Sequence, residues 1–137
     1  MVHQDGEKSF KYPADWVAGT EGGLNAYWSK DEKAIFFYMA PFNMGANFNQ
    51  QDFITTGVKA AAGDATVTYG ARSTETINGY PADVQTVEYS DGIHGVVVTI
   101  KKGSKIHLII ALEANGAEAT YGPILTAMVD SYTPLGS

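Results

Sequence analysis

Cysteine is absent from this chain of 137 residues. That excludes disulfides, thiolate chemistry and Cys-ligated zinc, so packing must supply the stability. Basic charge is scarce. The 9 Lys and Arg residues face 15 Asp and Glu, giving a net charge of -6 and an isoelectric point near 4.8. An acidic chain is a poor match for nucleic acid, whose phosphates require a basic surface. No apolar run approaches the ~18 residues that a membrane-crossing helix needs. The opening segment Met1-Val2-His3-Gln4-Asp5-Gly6-Glu7-Lys8 is polar and lacks the pattern of a signal peptide. The expectation is therefore a cytosolic protein, or an exported one whose leader has been removed. Low-complexity tracts, internal repeats and Pro-rich linkers are missing too.

Catalytic motifs are equally scarce. There is no Gly-x-Ser-x-Gly elbow, no phosphate-binding Gly-rich loop ending in Lys-Ser/Thr, no His-Glu-x-x-His and no calcium loop of EF-hand spacing. Gly19-Thr20-Glu21-Gly22-Gly23 is Gly-rich, but it is acidic and no helix follows it. Ser90, Asp91 and His94 are close in sequence, yet a strand–turn–strand does not hold them as a triad. The expectation is a protein that is not an enzyme.

What is present is a strand-rich domain of ordinary hydrophobic content, 45%. Residues 1–9 read as a flexible N-terminal tail and residues 10–135 as a single domain. Phe10-Lys11-Tyr12 reads as a short strand stopped by Pro13, with Trp16 as an anchor. Leu24 to Ser29 and Ala34 to Met39 read as strands. The second is apolar on both parities, which predicts cover on both faces. Asn49-Gln50-Gln51-Asp52 has capping-box spacing, and Phe53, Ile54, Val58 and Ala61 follow at helical spacing up to a stop at Gly63.

Residues 66–113 read as an antiparallel meander. Its turns fall at Asn78-Gly79, Asp91-Gly92 and Gly103-Ser104. Tyr121, Ile124, Leu125, Met128, Val129 and Tyr132 then mark a second helix, with Pro123 expected in its first turn and Pro134 as its stop. In the last hairpin Val96, Val98, Ile100 and Ile109 share one parity, and Val97, Leu108, Ile110 and Leu112 the other. A sheet covered on both faces accounts for this. The predicted fold is α+β: an α/β/α sandwich with a central antiparallel sheet of about six strands flanked by two main helices.

This layout resembles the PsbP-like superfamily, which includes the PsbP proteins of photosystem II, Ran-binding Mog proteins and bacterial DcrB-type lipoproteins. The residues that carry the resemblance are Phe10-Lys11-Tyr12-Pro13 with Trp16, Thr76-Ile77-Asn78-Gly79-Tyr80-Pro81-Ala82, Gly103-Ser104-Lys105-Ile106-His107-Leu108 and Val129-Asp130-Ser131-Tyr132. The resemblance spans about Phe10 to Leu135. It implies the same α/β/α sandwich and an accessory or adaptor role in binding another protein, outside the cytoplasm and with room for a lipid anchor on a removed leader. It supplies no catalytic residues.

Four local features are candidate sites. If Gly103-Ser104 and Asp91-Gly92 are both two-residue turns, Tyr89, His94 and Glu113 fall in one cross-strand row. Such a row could hold a divalent metal or shuttle a proton, or it could be a plain polar pair near a sheet end. Lys101, Lys102 and Lys105 surround the Gly103-Ser104 turn and form a positive tip on an acidic protein, suited to an acidic partner or anionic headgroups, or simply a solvated hairpin end. Phe36, Phe37, Tyr38, Phe42, Phe48 and Phe53 crowd one strand and one helix, as core or as the lining of an apolar ligand pocket. The Met39–Asn47 loop carries Phe42 and Met44 where polar turn residues are expected, as a contact surface does. His107, opposite Ile100, reads as a core or edge histidine.

Overall fold

The computed structural model describes residues 1–136. In chain order the elements are β1 (Val2–Gln4), β2 (Lys8–Lys11), β3 (Val17–Glu21), β4 (Leu24–Trp28), β5 (Ala34–Tyr38), β6 (Phe42–Asn43), α1 (Gln50–Ala62), β7 (Val67–Ile77), β8 (Tyr80–Tyr89), β9 (Ile93–Lys102), β10 (Lys105–Ala114), α2 (Glu118–Ser131) and β11 (Thr133–Pro134).

The main sheet is antiparallel and runs β3-β4-β5-β10-β9-β8-β7, with β6 also paired to β10, eight strands in all. Two of these exceed the number expected. Strand β3 is exposed along its whole length, so it has no alternating apolar residues to announce it. Strand β6 is a two-residue bridge.

Apolar residues on both parities bury both faces of the sheet. On one face Phe36, Val98, Ile100 and Ile109 pack with Leu125, Met128 and Val129 of α2. On the other, Phe37, Val97, Leu108 and Ile110 pack with Ile54 and Val58 of α1. This is the expected α/β/α sandwich, with a small three-stranded sheet, β1-β2-β11, beside α2.

That small sheet overturns the reading of residues 1–9 as a flexible tail. Val2 pairs with Lys11 and Gln4 with Ser9, while Thr133 pairs with Ser9 from the other side. The cause is Phe10, whose ring is buried against Phe36 and Tyr132 and is stacked at 4.8 Å by His3. Lys8 is only 2% exposed. Its ammonium lies 3.4 Å from Asp5 Oδ2 and 5.7 Å from the centre of the Tyr38 ring.

Helix α1 begins where the capping pattern put it. The Asn49 side chain accepts from the Asp52 N–H at 3.0 Å, and Gly63 ends the helix at φ 61°. Helix α2 starts earlier than predicted, at Glu118, so Pro123 stands in its second turn, not its first. Its far end is held from outside. Asn78, at φ 50° in the β7–β8 turn, donates its amide to the Asp130 and Tyr132 carbonyls at 2.9 and 2.8 Å. Those are among the orphan acceptors that every helix C-terminus leaves.

Candidate functional site

Pro41 stops β5, and the chain turns back along β10. Strand β6 then pairs Phe42 with Ile106 and Asn43 with Lys105, and the Met44 N–H donates to the Ser104 carbonyl at 2.8 Å. The following turn brings Phe48 round to Asn49, which caps α1 and fixes Phe53 in the first turns of that helix. The result is a triangle of rings. Phe42, Phe48 and Phe53 lie 5.5 to 5.9 Å apart, centre to centre. They border an open groove of about 700 Å³ with Asn49, Asp52 and Thr56 on its polar side. Phe42 is 48% exposed, whereas Phe48, Phe53 and Met44 are half-buried. A large apolar ring left in water beside two others is the feature that singles out this surface.

Two candidates read separately from the sequence therefore adjoin. The tight turn at Gly103, φ 60°, pairs Lys102 with Lys105 as expected, and β6 lays the Phe42 loop beside that hairpin. Strand alternation divides the three lysines, however. Ile106 lies between Phe42 and Lys101 in register, so Lys101 shares the Phe42 face. Lys102 and Lys105 occupy the α2 face, where Lys102 donates to the Gly136 carbonyl. The positive tip is not one patch; a single lysine, Lys101, shares the sheet face of Phe42, one strand further from the aromatic groove.

The Tyr89, His94 and Glu113 row is broken by one residue. The β9–β10 pairing does set His94 opposite Glu113. The β8–β9 loop, though, contains Ser90, Asp91 and Gly92, with only Gly92 at positive φ, so Tyr89 pairs with Ile93 and Glu88 takes the place opposite His94. A shift of one residue moves a side chain to the other face. Tyr89 is consequently buried against α1, where its hydroxyl donates to the Val58 carbonyl at 3.3 Å, and burial pushes its phenol well above its ordinary pKa.

His94 Nε2 lies 3.4 Å from Glu113 Oε1 and equally far from Glu118 Oε1, and its Nδ1 contacts the Asn115 side chain. Asn115 comes from the β10–α2 connection and Glu118 from the first turn of α2, and strand register gave no sign of them. Among the described residues no three His, Asp or Glu side chains are grouped so as to hold a metal ion.

His107 does face Ile100 on the α2 side and is 1% exposed. Its Nδ1 is 2.6 Å from the Tyr132 hydroxyl. Burial, reinforced by the Lys8 and Lys102 ammoniums, lowers its pKa from 6.5 to about 4. It is a neutral core histidine. Of the crowded aromatics, Phe36, Phe37 and Tyr38 are core, and Phe42, Phe48 and Phe53 border the open groove.

No family profile matches the chain, and no curated protein matches it in sequence. Solved structures do match its shape. Cyanobacterial PsbP (CyanoP) from Synechocystis sp. PCC 6803 superposes with a TM-score of 0.70 at 14% identity, over 98% of this chain and 91% of that one. PA94, a Pseudomonas aeruginosa protein of unknown function described as a candidate regulator, gives a TM-score of 0.60 at 12% identity, over 100% and 98%. A Bacteroides thetaiotaomicron structure gives 0.50 at 15% identity, over 95% of this chain but 46% of that one. The fold is PsbP-like. At these identities the likeness is one of fold, and function has to be argued from the surface. Among the described residues no helix is long and apolar enough to cross a membrane.

Proposed function

We propose that this chain is a non-enzymatic accessory domain that binds another protein through the groove bordered by Phe42, Phe48 and Phe53, and that it acts outside the cytoplasm. The observation that carries the reading is Phe42: an aromatic ring nearly half exposed, at the open side of an aromatic triangle, with Lys101 in the same cross-strand register. Such a surface suits a partner that inserts apolar side chains and sets a carboxylate near Lys101. Buried aromatic anchors dominate the energy of protein interfaces. The PsbP-like fold supports an accessory role by analogy, and the extracytoplasmic setting, with a lipid anchor on a removed leader, rests on the sequence resemblance alone.

The test is quantitative capture from envelope and soluble extracts of the source cell, with the wild-type chain and Phe42→Asp side by side. A specific partner should be retained by the wild type and lost from the variant, while the variant's melting temperature changes little. Equal retention by both chains would refute the assignment of this surface. Loss of folding in the variant would show that Phe42 is a core residue.

A further inference from the structure

On the opposite face of the sheet α2 lies chiefly over β10 and the small sheet, and it leaves the wing formed by β7, β8 and β9 less fully covered. A cleft of about 290 Å³ remains between the helix and that wing. Its walls are Val84, Val96 and Val98 from the sheet and Leu125 and Val129 from α2, so its body is apolar. Val84 and Val96 are only partly buried because the cleft lies over them. Gly122 keeps the helix wall free of a side chain at the level of Glu113. A Cβ added there would stand 3.9 Å from Glu113 Oε2.

Glu113 is the one buried polar group of this wall. Its side chain is 11% exposed, and Oε1 is engaged by His94. Its Oε2 is buried with no hydrogen-bond partner among the described residues. A carboxylate oxygen enclosed without a donor has lost its water and gained nothing in return, which is unfavourable. The acceptor calls for a donor, and the surroundings say of which sign. Glu75 and Asp130 also line the cleft, and none of the lining residues is Lys, Arg or His.

We propose that this cleft binds a small organic amine, whose apolar body lies on Val84, Val96 and Leu125 and whose ammonium pairs with the Glu113 carboxylate once that carboxylate turns toward the cleft. The size is set by the volume. An apolar cavity of about 150 Å³ holds a benzene ring, so this cleft takes a molecule of about ten non-hydrogen atoms. The site is distinct from the Phe42 groove, lies on the other face of the sheet, and stands or falls independently of it.

The experiment uses the full chain, isotope-labelled, titrated at neutral pH with three probes of one shape: phenethylamine, phenethyl alcohol and phenylacetate. Phenethylamine is expected to shift the methyl resonances of Val84, Val96, Leu125 and Val129 saturably, with phenylacetate the weakest of the three. Glu113→Gln should weaken phenethylamine about tenfold or more, as loss of a charge-assisted hydrogen bond does, and leave phenethyl alcohol almost unchanged. Thr126→Trp, at an exposed helix position lining the cleft, should block both and leave Glu113 intact. It also provides the test if Glu113→Gln does not fold. Equal binding of the amine and phenylacetate, an affinity unaffected by either substitution, shifts confined to the Phe42 groove, or no shift at millimolar probe would each overturn the proposal.

Discussion

His107 ties the fold to pH in a way that can be worked out in advance. In the unfolded chain its imidazole titrates near 6.5, and in the folded chain at about 4, because it is buried and faces the Lys8, Lys102 and Lys105 ammoniums. Between those two values the unfolded state binds the extra proton, so stability must fall as pH falls. The contribution is fully present above pH 6.5 and fully lost below pH 4. A tenfold difference in proton affinity is worth about 1.4 kcal/mol, so the whole effect is about 3 kcal/mol, of which about 2 kcal/mol is lost between pH 7 and pH 5. That is a substantial fraction of the roughly 5–15 kcal/mol that holds a domain together.

Urea unfolding of the wild type and of His107→Gln at pH 7, 6 and 5 isolates this histidine, since His3 and His94 contribute equally to both chains. The wild type should lose about 2 kcal/mol more than the variant over that range. The imidazole resonance of His107 should titrate near pH 4. Parallel stability curves, or a His107 midpoint near 6.5, would refute the reasoning. The acid side is distinct. Asp5 is held at about 2, burial being outweighed by the His3 side chain, the Glu7 and Lys8 N–H groups and the Lys8 charge, and its contribution is lost only below about pH 4.

Asn78→Gly keeps the positive φ of the turn but removes the amide that holds the end of α2. It should lower stability by about 2 kcal/mol in urea unfolding, far more than a surface turn substitution. Gly95→Ala should abolish folding or lower the melting temperature severely, because a Cβ there would clash with the Ala111 carbonyl oxygen, a backbone atom that cannot move aside. Deleting residues 1–7 removes the β1–β2 pairing and the His3 stack on Phe10. It should lower the melting temperature by about 5 °C or more, whereas deletion of a flexible tail would leave it unchanged.

The features legible in the sequence were those with a local physical cause. The double parity of Val96–Ile100 and Leu108–Leu112 showed a sheet covered on both sides, and Asn78-Gly79 and Gly103-Ser104 marked their turns because two-residue hairpins demand positive φ. Asn49 announced the start of α1 through its side-chain oxygen. The Asp91-Gly92 turn misled, because a single αL glycine serves a three-residue loop as readily as a two-residue one, and that one residue carried Tyr89 to the other face. Strand β3 has no apolar alternation, and the pairing of β1 is dictated by Phe10, which lies in a different strand. Neither could be read locally. Glu118 and Asn115 beside His94, the amide of Asn78 on α2 and the cleft beneath that helix all depend on where α2 lies over the sheet, which no periodicity encodes. Phe42 and Met44 were visible as apolar residues in a loop. That Phe42 shares a sheet face with Lys101 was not, because the register passes through β6, a strand of two residues.

The proposed function depends above all on contact between Phe42 and a protein. A photo-crosslinking amino acid placed at position 42, with a second chain carrying it at the more exposed Val17 on β3 as control, tests that contact most directly in intact source cells. One dominant crosslinked protein is expected from position 42 and none of it from position 17. No adduct at position 42, or the same collection of adducts at both positions, would contradict the proposal.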